Sequence, residues 1–175
     1  MAIFTQTRVD YMGIIEALLQ GTNESYERNK EVMNWGDHAV TLRDCRTVGF
    51  LTGRQTGKGE FIADFYRKYP NDTSVLVRDA KLQSVARANI LKGADGPTPH
   101  VSGPVAVATV IKSHMADVTA VPESVSDDPL NRRYIIVDDA TFFFDMLHSM
   151  GIKRNNFFRA IASRRGTDVN IILIG

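Results

Sequence analysis

A chain of 175 residues, 43% of them hydrophobic, with a formal charge of +1, has the size and apolar content of one packed domain, and it lacks the general excess of Lys and Arg that would hold nucleic acid without a local basic patch. Cys45 is the only cysteine, which excludes an intrachain disulfide and a multi-cysteine zinc site and fits a reducing compartment. His38, His100, His114 and His148 show no metal-ligand spacing, no run approaches the roughly 20 apolar residues of a membrane span, and MAIFTQTRVDYMG lacks the apolar core of a signal peptide; a cytoplasmic protein without membrane contact is expected.

Between Val9 and Gln20, the residues Met12, Ile15, Ala17, Leu18 and Leu19 fall mostly at helical spacing, and Gly21 supplies a stop. Asn23 to about Trp35 reads as a second, charged helix with Tyr26, Val32, Met33 and Trp35 as candidate buried residues; for Trp35 and Tyr26 an adenine platform is the functional alternative to a core role. At Thr47 the pattern changes. The apolar run TVGFL leads into the glycine-rich turn Thr52–Lys58 (TGRQTGK) and then into an amphipathic helix, EFIADFYRKY, ended by Pro70. SVLVR, at Ser74 to Arg78, precedes a helix from Asp79 to Leu91 with Ala80, Val85, Ala86, Ala88, Ile90 and Leu91 for its buried side. This βαβα order is the signature of a parallel sheet.

Lys92 to Pro104 is rich in Gly and Pro and reads as a loop, either disordered or serving as a lid or nucleic-acid loop. VAVATVI, at Val105 to Ile111, is β-branched enough to predict a strand, and Asp117 to Leu130 reads as irregular. YIIVDD opens a buried strand at Tyr134; a Phe- and Met-rich helix follows, and a second helix from about Lys153 to Arg164 leads to the last strand, VNIILIG. Of Phe142, Phe143 and Phe144, at least one must point away from the core, where it is available to a protein partner or a second copy of the chain. His148, on the same helix, reads as structural.

The turn before Glu60 carries chemistry. A loop that wraps phosphates needs glycines so that backbone N–H groups can converge on oxygen, then a lysine, then a helix whose positive end faces the anion. Gly53, Gly57 and Lys58 meet that need, within a candidate nucleotide-binding stretch made up of Thr52, Gly53, Arg54, Gln55, Thr56, Gly57, Lys58, Gly59 and Glu60. Against the pattern G-x-x-x-x-G-K-[ST] this is a degenerate Walker A motif: Thr52 stands for the first glycine, and Gly59 for the hydroxyl residue that binds magnesium. The alternative is a plain βα turn with a surface lysine. Downstream, Ile135, Ile136 and Val137 are followed by Asp138 and Asp139, an apolar strand ending in acid. Parallel strands bring their C-terminal ends to one rim, so Asp138 and Lys58 should converge. There Asp138 would reach a magnesium ion and Asp139 would orient an attacking water.

GRQTGK, with Arg54, Gln55, Gly57 and Lys58, resembles the arginine-containing phosphate loop of viral terminase large subunits, the motors that package DNA, and IIVDDA at Ile135 to Ala140 is similar to their magnesium-binding strand. The resemblance spans roughly Val48 to Gly175. It implies a three-layer α/β P-loop NTPase fold of the additional-strand, RecA- and terminase-like class, with a mostly parallel sheet in which Val169 to Ile174 inserts between the acidic strand and the loop strand. The far side of the loop strand is then a sheet edge for Ala2 to Thr5 or a partner chain to cover. One domain over 1–175 is expected, with a helical segment at 1–45 ahead of a nucleotide-binding core at 46–175. The implied cofactors are ATP and Mg2+; Arg54 would act as an arginine finger in cis, or else is a surface arginine. In a phage-encoded protein the compartment would be the host-cell cytoplasm. The loss of a hydroxyl at Gly59 makes a non-hydrolysing nucleotide-binding regulator the alternative to an ATPase.

Lys153, Arg154, Arg159, Arg164 and Arg165 gather around one helix with Phe157 and Phe158 between them, a combination able to contact DNA or RNA. The alternative is an amphipathic helix with Phe157, Phe158, Ile161 and Ala162 in the core and a solvated basic face.

Overall fold

The computed structural model describes residues 9–33, 36–51, 57–92, 97–116 and 128–175. Strands β1 (Thr47–Phe50), β2 (Thr73–Leu76), β3 (Val101–Ser102), β4 (Tyr134–Val137) and β5 (Asn170–Ile174) form one all-parallel sheet in the order β1-β5-β4-β2-β3. The described helices are α1 (Tyr11–Met33), α2 (His38–Cys45), α3 (Lys58–Lys68), α4 (Ala80–Leu91), α5 (Pro104–Met115), α6 (Ala140–Ser149) and α7 (Arg154–Arg165). Among the described residues no helix is long and apolar enough to cross a membrane.

The strands read as near-continuous apolar runs because both sheet faces are covered. Ile135, Val137 and Ile171 face one core, shared with α2, α5, α6 and α7, while Ile136, Ile172 and Ile174 face the other, shared with α1, α3 and α4. The chain is therefore α/β with helices on both sides of its sheet. As expected, β5 lies between β1 and β4, and β1 is an edge strand. Ala2 to Thr5, expected to cover that edge, lie outside the described residues, as does Trp35.

Two expectations about elements fail. Val105 to Ile111 belong to α5, not to a strand. Gly103 stands at the N-cap and Pro104 at the first helical position, where its missing N–H costs nothing. Val107, Ala108, Val110 and Ile111 are buried while Val105 is 70% exposed. That is a helical period, and packing of the face overrides the modest strand preference of valine. The strand lies just before, as β3 within the segment read as loop.

Nor does Gly21 stop a helix: α1 runs through it. Ile15 and Leu19 before it and Tyr26 after it are buried, and their packing outweighs a glycine penalty of about 1 kcal/mol. Leu18, Val32 and Val85, assigned to buried faces, are exposed, and α4 buries only Ile90. Helix α2 has no counterpart in the sequence reading; it starts where the Asp37 carboxylate accepts from the Ala39 N–H at 2.8 Å.

A methyl group at position 21 would meet nothing within 4 Å. Gly21→Ala should raise stability by about 0.5–1 kcal/mol in urea unfolding; an unchanged or lower stability would contradict an unbroken α1.

Candidate functional site

Lys58 is the first residue of α3, and the turn into it is set by Gly57, whose φ of 86° and ψ of 13° fall in the left-handed region that glycine enters without penalty. The Phe61 N–H donates to the Gly57 carbonyl at 2.9 Å, closing the first turn. Phe61, Ile62, Phe65 and Tyr66 then bury the inner face of α3. Aromatic contacts with centroids 5.2 to 5.9 Å apart run from Tyr11 through Phe50, Phe61 and Phe65 to Tyr134, joining α3 to β1 and β4. Of these rings Phe61 and Phe65 are buried and contribute about 2–3 kcal/mol each, so the base of Lys58 is firmly placed.

The opposing acids come from the end of β4. The Asp138 N–H still donates to Leu76 at 2.9 Å, extending the ladder one residue past the strand. Asp139 follows with φ 49° and ψ 53°, the one non-glycine residue at positive φ among the described residues. That conformation costs about 1 kcal/mol for a non-glycine residue. Asp139 also occupies the N-cap of α6 without capping it. A carboxylate there ordinarily accepts from the helix's own N–H groups; this one turns to Lys58.

Lys58 Nζ donates to Asp139 Oδ1 at 2.5 Å and lies 2.9 Å from Asp138 Oδ1. The second contact is a close ion pair whose alignment falls short of a strict hydrogen bond, so Lys58 engages buried Asp138 Oδ1 mainly by charge. The three side chains keep 25%, 14% and 23% exposure for Lys58, Asp138 and Asp139. Burial by itself would lower the pKa of Lys58, but its contacts with Asp139 and Asp138 outweigh burial and hold it above the ordinary lysine value. Burial pushes Asp138 above the usual carboxylate range, and the Lys58 contact only partly offsets this. The shifts are not reciprocal because one ammonium serves two acids and Asp138 is the more deeply buried of the two.

Lys58, Asp138 and Asp139 thus meet at the C-terminal rim. Arg78, which the sequence reading placed only at a strand end, joins them: its Nη1 is 3.7 Å from Asp139 Oδ2. The register of the sheet places it there, since β2 and β4 pair in parallel with Leu76 beside Val137. Thr52, Gly53, Arg54, Gln55 and Thr56 lie outside the described residues. Glu60 sits in the first turn of α3, and a Cβ at Gly59 would face Asn89 Nδ2 of α4 at 3.5 Å, leaving room for a small side chain.

The basic residues of α7 have acids or rings beside them to different degrees. Arg164 is paired with Asp128, Arg159 lies 3.9 Å from Asp37, and Arg165 lies 3.7 Å from Asp168. Arg154 stacks on Phe144 at 4.7 Å, Lys153 is exposed, and Phe157, Phe158 and Ile161 are core. Phe142 is the exposed member of its trio, at 57%, while Phe143 is fully buried. His148 is exposed and, with Phe50, Leu51, Phe144 and Asp145, lines a cavity of about 600 Å³ between the edge of the sheet and α6.

Among the described residues no three His, Cys, Asp or Glu side chains converge as a metal cage. A divalent ion at Asp138 and Asp139 would take its remaining ligands from water and phosphate, as Mg2+ commonly does. Comparison with protein-family models, with curated proteins and with solved structures finds no match, so the argument for function rests on this site.

The ion cluster makes stability depend on pH. Asp138, with its pKa raised, favours the folded state below the ordinary value of 3.8 and loses that contribution as pH rises. Lys58, also raised, contributes below its ordinary 10.5 and loses that contribution only above it. At pH 8, Lys58→Met takes away the cation beside Asp138 and leaves Asp139 with only the longer Arg78 contact. The expected loss is about 1–2 kcal/mol, less than for a fully buried pair because all three groups keep some water. It should shrink as the pH is lowered and Asp138 takes up a proton. Equal losses at pH 8 and in acid, in urea unfolding, would show that Lys58 does not compensate these acids.

Proposed function

We propose that Lys58, Asp138 and Asp139 form the phosphate and magnesium site of an ATP-binding, ATP-hydrolysing P-loop protein of the additional-strand class. The observation that carries this reading is the convergence of one lysine on two adjacent carboxylates, at 2.5 and 2.9 Å, across the rim of a parallel sheet. Three further features support it: β5 between the loop strand and the acidic strand, the left-handed Gly57 opening α3, and the left-handed Asp139.

Charge exchange supplies the chemistry. A triphosphate draws the Lys58 ammonium away from the acids toward its β- and γ-phosphates. The acids then need a new cation, and Asp138 Oδ1, once Lys58 has left it, would be available to Mg2+ directly or through a water. Asp139 orients the attacking water, and Arg54, from its position in the GRQTGK motif, stabilises charge on the transferred phosphoryl group. Nucleotide and Mg2+ therefore bind cooperatively, each removing the other's electrostatic penalty. The resemblance of this motif and of IIVDDA to terminase large subunits makes action on or near DNA or RNA the biological setting. Gly59 favours a second reading, a nucleotide-binding regulator that does not turn over, because a glycine offers magnesium no hydroxyl.

The test is ATP binding and phosphate release, with and without Mg2+ and with and without DNA or RNA. Lys58→Ala and Asp138→Ala should each weaken Mg-ATP binding by about tenfold or more. Equal binding by wild type and Lys58→Ala would overturn the proposal. Binding without turnover would select the regulator, and Gly59→Ser, which has room, would then be expected to raise phosphate release.

A further inference from the structure

We propose that Arg78 is a second phosphate-contacting residue of this site, held at the rim by Phe142, and that it reads the terminal phosphate; this rests on the nucleotide reading above. The parallel register pairs Leu76 with Val137, and the Asp138 N–H continues that ladder to Leu76. Two residues further on, Arg78 comes beside Asp139. Lys58 takes Asp139 Oδ1 at 2.5 Å while Arg78 Nη1 approaches Oδ2 at 3.7 Å, so one carboxylate stands between two cations.

The guanidinium is held but not consumed. Its Nε is 3.4 Å from Asp79 Oδ2, and Asp79 is itself fixed as the cap of α4, with Oδ1 accepting from the Leu82 N–H at 2.8 Å. One face lies over the Phe142 ring, 5.1 Å from its centroid. Both ion pairs are long and neither is bidentate. A guanidinium carries five donors, so several remain for phosphate oxygens, and the Arg78 side chain is 40% exposed. Phe142 is left without a core role, and stacking under a cation gives this exposed aromatic one.

Strand order says which phosphate is meant. The loop follows β1, while β4 and β2 stand beyond β5. A triphosphate laid from the loop toward the acids presents its last phosphate to the β2 side, where Arg78 waits. ADP would stop short. Arg78 then contacts substrate, whereas Phe142 acts only by positioning it.

The experiment measures the affinities of Mg-ATP and Mg-ADP for wild type, Arg78→Ala, Arg78→Lys and Phe142→Ala, with thermal melting as the folding control. Arg78→Ala should lose about tenfold in ATP affinity and little in ADP affinity, erasing the preference for ATP. Arg78→Lys should restore part of that preference, and Phe142→Ala should fall in between. A wild-type ATP:ADP ratio in both Arg78 variants would overturn the assignment while leaving the nucleotide site intact. Wild type binding neither nucleotide would overturn both.

Discussion

An ammonium and two carboxylates share a space at the top of the sheet where each keeps a quarter or less of its exposure. Removing charges from water is costly, and only mutual compensation makes it tolerable. Much of the local architecture follows from that need. Asp139 accepts a left-handed backbone and leaves α6 uncapped, and Asp138 is held above the usual carboxylate range. Apolar groups of similar size would avoid that cost, and the proposed exchange of partners with nucleotide and Mg2+ would give the charges a use.

The fold holds the cluster rigidly from both sides. The aromatic series from Tyr11 to Tyr134 fixes α3 against β1 and β4, and the continued ladder at Asp138 fixes the acids against β2. Backbone positions on both sides of the cluster are thus set by packing and hydrogen bonds.

Much of this was legible in the sequence because it depends on local signals. The runs TVGFL, SVLVR, YIIVDD and VNIILIG each became a strand of the parallel sheet, shifted by a residue or two, and Lys58 met Asp138 because parallel strands share a rim. What was missed depends on tertiary context. Val105 to Ile111 carry strand-forming side chains, yet Gly103, Pro104 and burial at helical spacing make them a helix. Gly21 carries a stop signal that packing on both sides overrides. Arg78 looked like any strand-end arginine, since its contacts with Asp139 and Phe142 arise only once β2 and β4 are paired and α6 follows. On α7 the amphipathic alternative is the legible part: Phe157, Phe158 and Ile161 are core, while Asp128, Asp37 and Asp168 lie beside three of its arginines.

A crystal structure with Mg2+ and a non-hydrolysable ATP analogue is the decisive experiment. In it Lys58 Nζ should leave Asp139 for the β- and γ-phosphates, and the metal, or a water bound to it, should take its place beside Asp138. An analogue bound elsewhere, with Lys58 still paired to both acids, would contradict it.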